Sequence, residues 1–221
     1  MDKEQIEGSD GFVFDAVRVP AEGARKGGLV MIQEIFGLNS FMLAAARRFA
    51  AEGFEVLLPS MFDRQETGFV REGHDQAALV AGSGHARANG LENAMTDIAA
   101  CIDMLEGPVF ITGFCYGGSM SYHAACQLDG LSAASCYYGS LLPKAKDNEP
   151  KCPTIAHFGK HDPHIPLEGV EAFKQARHDV LTYIYDAGHG FARQGSDDYD
   201  AKADELAFER TLKLFDEDLI R

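Results

Sequence analysis

The sequence predicts an α/β protein built on a mostly parallel central sheet with helices on both faces. Three observations predict it. Short apolar runs alternate with helical patterns along the chain, as they do where strands are joined by crossover helices. Several of those runs are apolar throughout rather than alternating, which fits strands covered on both faces. A glycine-rich turn, Gly113 to Gly118, separates one such run from a helical pattern.

Taken in order, Phe12 to Val19 alternates and reads as an N-terminal edge strand, and Leu29 to Gln33 as a buried strand. Asn39 or Ser40 can cap a helix through Ala51, with Gly53 stopping it. Phe54 to Leu58 is the next strand, followed by a charged, glycine-bearing loop from Ser60 to Gly73. Signals mix from His74 to Gly90. Leu91 to Leu105 is helical, with Ala94, Ile98, Ile102 and Leu105 on one face. Val109 to Thr112, Ala133 to Tyr138, Thr154 to Phe158 and Val180 to Tyr185 read as strands. Helices are expected from the turn at Gly118 to about Leu128, over Pro166 to Arg177, and over Ala201 to Leu219, the last with Phe208, Leu212, Phe215 and Leu219 at helical spacing.

The 221 residues, 46% of them hydrophobic, suit a single domain spanning 1–221 with a core of its own. A formal net charge of −14 opposes binding to nucleic acid or to an anionic membrane. The polar segment Met1 to Asp10 does not resemble a signal peptide, and no apolar run is long enough to span a bilayer. A cytoplasmic monomer without a cofactor is expected. The five cysteines, an odd number without paired spacing, read as reduced thiols.

Gly113-Phe114-Cys115-Tyr116-Gly117-Gly118 follows a strand and opens a helix, the context of a nucleophile elbow with Cys in place of Ser. Glycine is needed at Gly113 and Gly117 because a Cβ would collide with neighbouring backbone in so tight a turn. The turn sets Cys115 at a helix N-terminus, whose dipole favours a thiolate. Such a nucleophile needs a base and an orienting carboxylate, which in this fold follow in the order nucleophile, acid, histidine. Asp162 ends one later strand and His189 follows the next. Alternatives remain open: Asp162 as a simple helix cap, Asp186 as a rival acid, and His157, His161 and His164 as a metal group.

Four blocks together resemble the dienelactone hydrolase (carboxymethylenebutenolidase) family: Gln33-Glu34-Ile35-Phe36-Gly37, the cysteine turn, Gly159-Lys160-His161-Asp162, and Ala187-Gly188-His189-Gly190-Phe191-Ala192-Arg193. The resemblance implies the α/β-hydrolase fold, Cys115 as nucleophile, His189 as base and Asp162 as its orienter. It further implies that Glu34 contacts the resting cysteine and that Arg193 binds a substrate carboxylate. The fold's usual arrangement assigns the oxyanion hole to the backbone N–H groups of Ile35 and Tyr116. The chain departs from the family in lacking a matching motif for a second substrate-binding arginine and a nearby tyrosine; Arg71 and Arg87 lie in that region. Gly190 stands where close relatives have serine. The competing reading of Arg193 is a surface ion pair with Asp197 or Asp198.

The choice of sulfur restricts the substrate. A thiol ionises near ~8.5, far below an alcohol, so a tetrahedral adduct on cysteine expels thiolate unless the other leaving group is also a weak base. Enol lactones and activated esters meet that condition, and Arg193 would favour a small anionic one. The rival readings are a cysteine- or serine-type carboxylesterase of different substrate and a non-catalytic ligand-binding member of the fold.

Overall fold

Strand and helix alternate through the computed structural model, which describes residues 2–219, with side chains through residue 216. Two compact units divide the chain, Met1–Phe110 and Ile111–Arg221.

In the first unit the strands are β1 (Asp2–Glu7), β2 (Val13–Val19), β3 (Gly27–Ile32) and β4 (Phe54–Pro59), ordered β1-β2-β4-β3. β3 and β4 run parallel, while β1 and β2 add antiparallel strands outside them. Every residue of β3 is buried, as its uninterrupted apolar sequence requires. Phe12 to Val19 is therefore not the edge: β2 lies between β1 and β4. The sequence Asp2–Glu7 conceals a strand because only Ile6 is buried. It pairs opposite Phe14, and Arg18 bonds Glu4 at 2.8 Å.

Helix α1 (Ser40–Ala51) starts where the side chain of Asn39 accepts from Met42 N. Helix α2 (Gln76–Asp103) runs well N-terminal of the expected start at Leu91 and breaks at Gly90, whose backbone leaves the helical region (φ 68°, ψ −176°). Its first half escapes a reading by apolar period because Gly82, Gly84 and polar residues interrupt the stripe. Asp75 nevertheless caps it, accepting from Ala78 N at 2.8 Å.

β5 (Val109–Phe114) starts two residues before the boundary, and the second unit continues with α3 (Tyr116–Gln127), β6 (Leu131–Tyr137), β7 (Thr154–Gly159), α4 (Leu167–Ala176), β8 (Val180–Tyr185) and α5 (Ala201–Leu219). A single 3₁₀ turn, Leu142–Ala145, follows β6. β6, β7 and β8 pair in parallel in that order. Parallel strands share one C-terminal edge, and the loops leaving it carry Asp162 after β7 and His189 after β8. Phe208 and Phe215 of α5 are buried; the expected contact of Leu219 lies outside the described side chains. Among the described residues no helix is long and apolar enough to cross a membrane.

Candidate active site

The turn after β5 reverses the chain within one residue. Cys115 takes a left-handed φ of 55° with ψ −111°, a conformation L-residues adopt only under constraint. Its N–H donates to Tyr137 O at 3.0 Å and its carbonyl accepts from Ser119 N, so β6 and α3 hold the strained residue from both sides. Gly113 makes the turn possible, because a Cβ there would overlap the backbone of Gly117. Tyr116 opens α3, and the first N–H groups of a helix have no acceptor within it.

Asp162 and His189 meet the sulfur from the neighbouring loops. His189 Nδ1 lies 2.7 Å from Asp162 Oδ2, and Nε2 lies 3.2 Å from Cys115 Sγ. The other oxygen of Asp162 accepts from His164 N at 2.7 Å and Ile165 N at 3.2 Å. Asp162 thus organises the turn ahead of α4, whose own N-cap is Pro166. Its side chain is fully buried and that of His189 is 14% exposed. Burial opposes a charged imidazole, but hydrogen bonds to Asp162 and Cys115, with the charges behind them, outweigh it and lift His189 to about 10. The same geometry sets Nε2 against the sulfur, where an imidazole can exchange a proton with a thiol.

The rival assignments are separated by geometry. Asp186 is exposed and bonds His161 Nε2 at 2.6 Å. His157 is buried among Ser135, Thr211 and Tyr185, with Nδ1 2.8 Å from Tyr185 Oη. His164 packs its ring edge-on against His189, 5.0 Å between centroids. Among the described residues no group of His, Cys, Asp or Glu is arranged to hold a metal ion.

Arg193 is buried and its Nη1 bonds Asp198 Oδ2 at 3.0 Å, so the ion-pair partner named from sequence is present while the guanidinium itself is not on the surface. Glu34 and Ile35 belong to the first unit, in the loop that follows β3 and Gln33. Glu34 is fully buried, and its carbonyl accepts from Gln33 Nε2, whose Oε1 in turn accepts from Met61 N.

Sequence reasoning passed over Tyr138, which with Cys115 is one of two non-glycine residues of positive φ among the described residues (36°), and whose ring stands 5.1 Å from that of His189. Nothing in a Tyr-Tyr-Gly sequence signals it. Of the other cysteines, Cys101, Cys136 and Cys152 are buried, while Cys126 is partly exposed, as Cys115 is. Burial pushes the Cys101 and Cys136 thiols well up and that of Cys126 to about 11.

The pattern of the dienelactone hydrolase family matches residues 14–219 of this sequence. The chain belongs to the dienelactone hydrolase family. A carboxymethylenebutenolidase of a Pseudomonas species is 31% identical to this family member over 95% of its chain and 92% of the relative's. A Klebsiella pneumoniae crystal structure, named provisionally as a dienelactone hydrolase, superimposes with a TM-score of 0.83 at 24% identity, covering 97% of this chain and 98% of that one. An esterase of Pyrococcus furiosus shares the fold at 12% identity, TM-score 0.73, over 98% of this chain and 92% of its own. This dienelactone hydrolase family member therefore has the α/β-hydrolase fold and is a hydrolase acting on ester bonds.

Proposed function

We propose that this hydrolase opens a small anionic enol lactone, or cleaves a comparably activated ester, through a thioester on Cys115. The observation that supports this most directly is the bonded chain of Asp162, His189 and Cys115, with distances of 2.7 and 3.2 Å. The name of the Pseudomonas relative suggests the lactone class.

His189 takes the thiol proton on Nε2 while Asp162 steadies the imidazolium through Nδ1. The thiolate attacks the ester carbonyl carbon, and the carbonyl electron pair moves to oxygen. That oxyanion is received by the N–H of Tyr116 and, by the family resemblance, of Ile35. Collapse breaks the ester C–O bond. The departing enolate takes the proton from His189, and the acyl group stays on sulfur. Water, deprotonated by His189, attacks the thioester, and the second collapse returns thiolate and releases the acid. One water is consumed and one ester bond is broken. By the same resemblance Glu34 restrains the resting cysteine and Arg193 receives the substrate carboxylate. The enzyme works in this reading as a cytoplasmic monomer.

The test compares hydrolysis of a dienelactone and of phenyl acetate by the native chain and by Cys115→Ala, with mass spectrometry of acid-quenched protein. The substitution is expected to lower turnover by about 10³-fold or more, and the native chain to carry an acyl adduct on Cys115. Turnover that survives Cys115→Ala overturns the proposal.

A further inference from the structure

Three consecutive carbonyls in the loop after β3 are each held by a different part of the first unit. The Glu34 carbonyl accepts from Gln33 Nε2 at 3.1 Å. The Ile35 carbonyl lies against Gly82 of α2, where a Cβ would overlap its oxygen and stand 2.9 Å from its carbon. The Phe36 carbonyl accepts from Arg71 N at 2.9 Å.

The first of these contacts fixes a direction. Gln33 is wholly buried, and its Oε1 accepts from Met61 N at 3.2 Å while its Nε2 donates to Glu34 O. Turning that amide over would set oxygen against oxygen and N–H against N–H, so the two bonds hold it one way round. In a trans peptide the C=O and the N–H point in opposite directions within one plane. Glu34 O and Ile35 N–H belong to one such peptide, so the bond from Gln33 sets where Ile35 N–H points. Gly82 packs on the carbonyl of the next peptide, which fixes Ile35 from its other side. A side chain at position 82 would drive that carbonyl away, and this gives the glycine in the first half of α2 a purpose that an apolar stripe does not.

We infer that Gln33 and Gly82 are positioning residues for the Ile35 N–H, one locking the peptide before Ile35 and the other the peptide after it. The inference rests on the hydrolase reading given above, which makes that N–H a donor to the oxyanion. A donor lowers the barrier most when it is aimed before the charge develops, so a misaimed one costs rate more than substrate binding. Gln33, Met61 and Gly82 all belong to the first unit, whereas Cys115, Asp162 and His189 belong to the second. The frame that aims the donor therefore contains none of the three, and the two can be tested apart.

The test measures kcat and kcat/KM for phenyl acetate, beside the rate at which iodoacetamide alkylates Cys115, in the full native chain and three variants. Displacement of iodide by sulfur builds no oxyanion, so alkylation reports the thiol and its imidazole without the Ile35 donor. Gln33→Met keeps the length of the side chain and removes the donor to Glu34 O. It is expected to lower kcat and kcat/KM together by about 10- to 100-fold, short of the loss of a whole donor, with alkylation within about threefold of native. Gly82→Ala, which pushes on the Ile35 carbonyl, is expected to show the same pattern. Gly84→Ala lies in the same half of α2, where a Cβ meets nothing within 4 Å, and is expected to keep native turnover. If Gln33→Met does not fold, the contrast between the two glycine variants decides. Native turnover in both Gln33→Met and Gly82→Ala, alkylation lost in proportion to turnover, or equal losses in Gly82→Ala and Gly84→Ala would each overturn the inference and leave the hydrolase reading standing. Absence of turnover by the native chain on phenyl acetate and on the dienelactone defeats the hydrolase reading, and this inference with it.

Discussion

His189 is bonded to a buried carboxylate on one side and to sulfur on the other, and both favour its proton. Burial works against that proton, yet the imidazole is raised to about 10 from an ordinary 6.5. Removing sulfur removes one of the two raising partners and leaves the burial. The imidazole of Cys115→Ala is therefore expected to titrate well below that of the native chain, as followed by NMR of labelled histidine; an unchanged titration would contradict the pairing. The sign for stability follows. With the folded value above the unfolded one, the stabilisation is complete below 6.5 and drains away as pH rises through about 10. Cys115→Ala is expected to flatten that alkaline limb in denaturant titrations. On the proposed mechanism, Asp162→Asn is expected to keep the fold and lower turnover by about 10³–10⁴-fold, because the amide no longer holds the imidazole in the right tautomer.

At the scale of elements, ion pairs tie the β1–β2 turn to α2. Arg64 bonds Asp97 of α2 at 2.6 Å and Asp10 at 2.7 Å, with Asp97 only 1% exposed. Desolvation raises the Asp97 carboxyl even though Arg64 works to lower it. Arg64→Met is expected to cost about 3 kcal/mol or more in urea unfolding, since it strands a buried charge. Arg64→Met combined with Asp97→Leu should recover much of that loss, and a double variant no better than the single would refute the account. The same elements mark where reading the chain stops working. β3, β5 and β8 are legible because local apolar runs specify them. β1 is not, because its one buried residue, Ile6, acquires meaning only opposite Phe14. The first half of α2 depends on a cap at Asp75 more than on an apolar stripe. In the candidate site, chain order and strand ends point to Cys115, Asp162 and His189. Tyr138 and His164 meet the imidazole ring only through folding, and no spacing announces them.

At the scale of the molecule, acid and alkaline limbs have separate origins. His157, wholly buried, is pushed down to about 3, chiefly by desolvation and further by Arg210. Its folded value lies below the unfolded 6.5, so the unfolded chain takes up a proton that the folded chain refuses. Stability is whole above 6.5 and falls with pH between 6.5 and about 3, by about 2 kcal/mol at pH 5. His157→Gln is expected to lower stability at pH 7, through lost bonds to Ser135 and Tyr185, yet to remove that part of the acid slope. An acid slope identical in the two proteins would rule His157 out as its source.

Three of the five sulfurs are buried, and Cys126, partly exposed as Cys115 is, has its thiol pushed up to about 11, whereas Cys115 faces an imidazole. Towards a dilute electrophile or peroxide at neutral pH the native chain should thus behave as though it owned one thiol. With Cys115 as the proposed nucleophile, a single equivalent of label would count competent molecules in a preparation, and a single oxidative hit would silence each one. Under the same proposal, sulfur chemistry at one turn makes the enzyme both easy to assay by stoichiometry and exposed to the redox state of its surroundings.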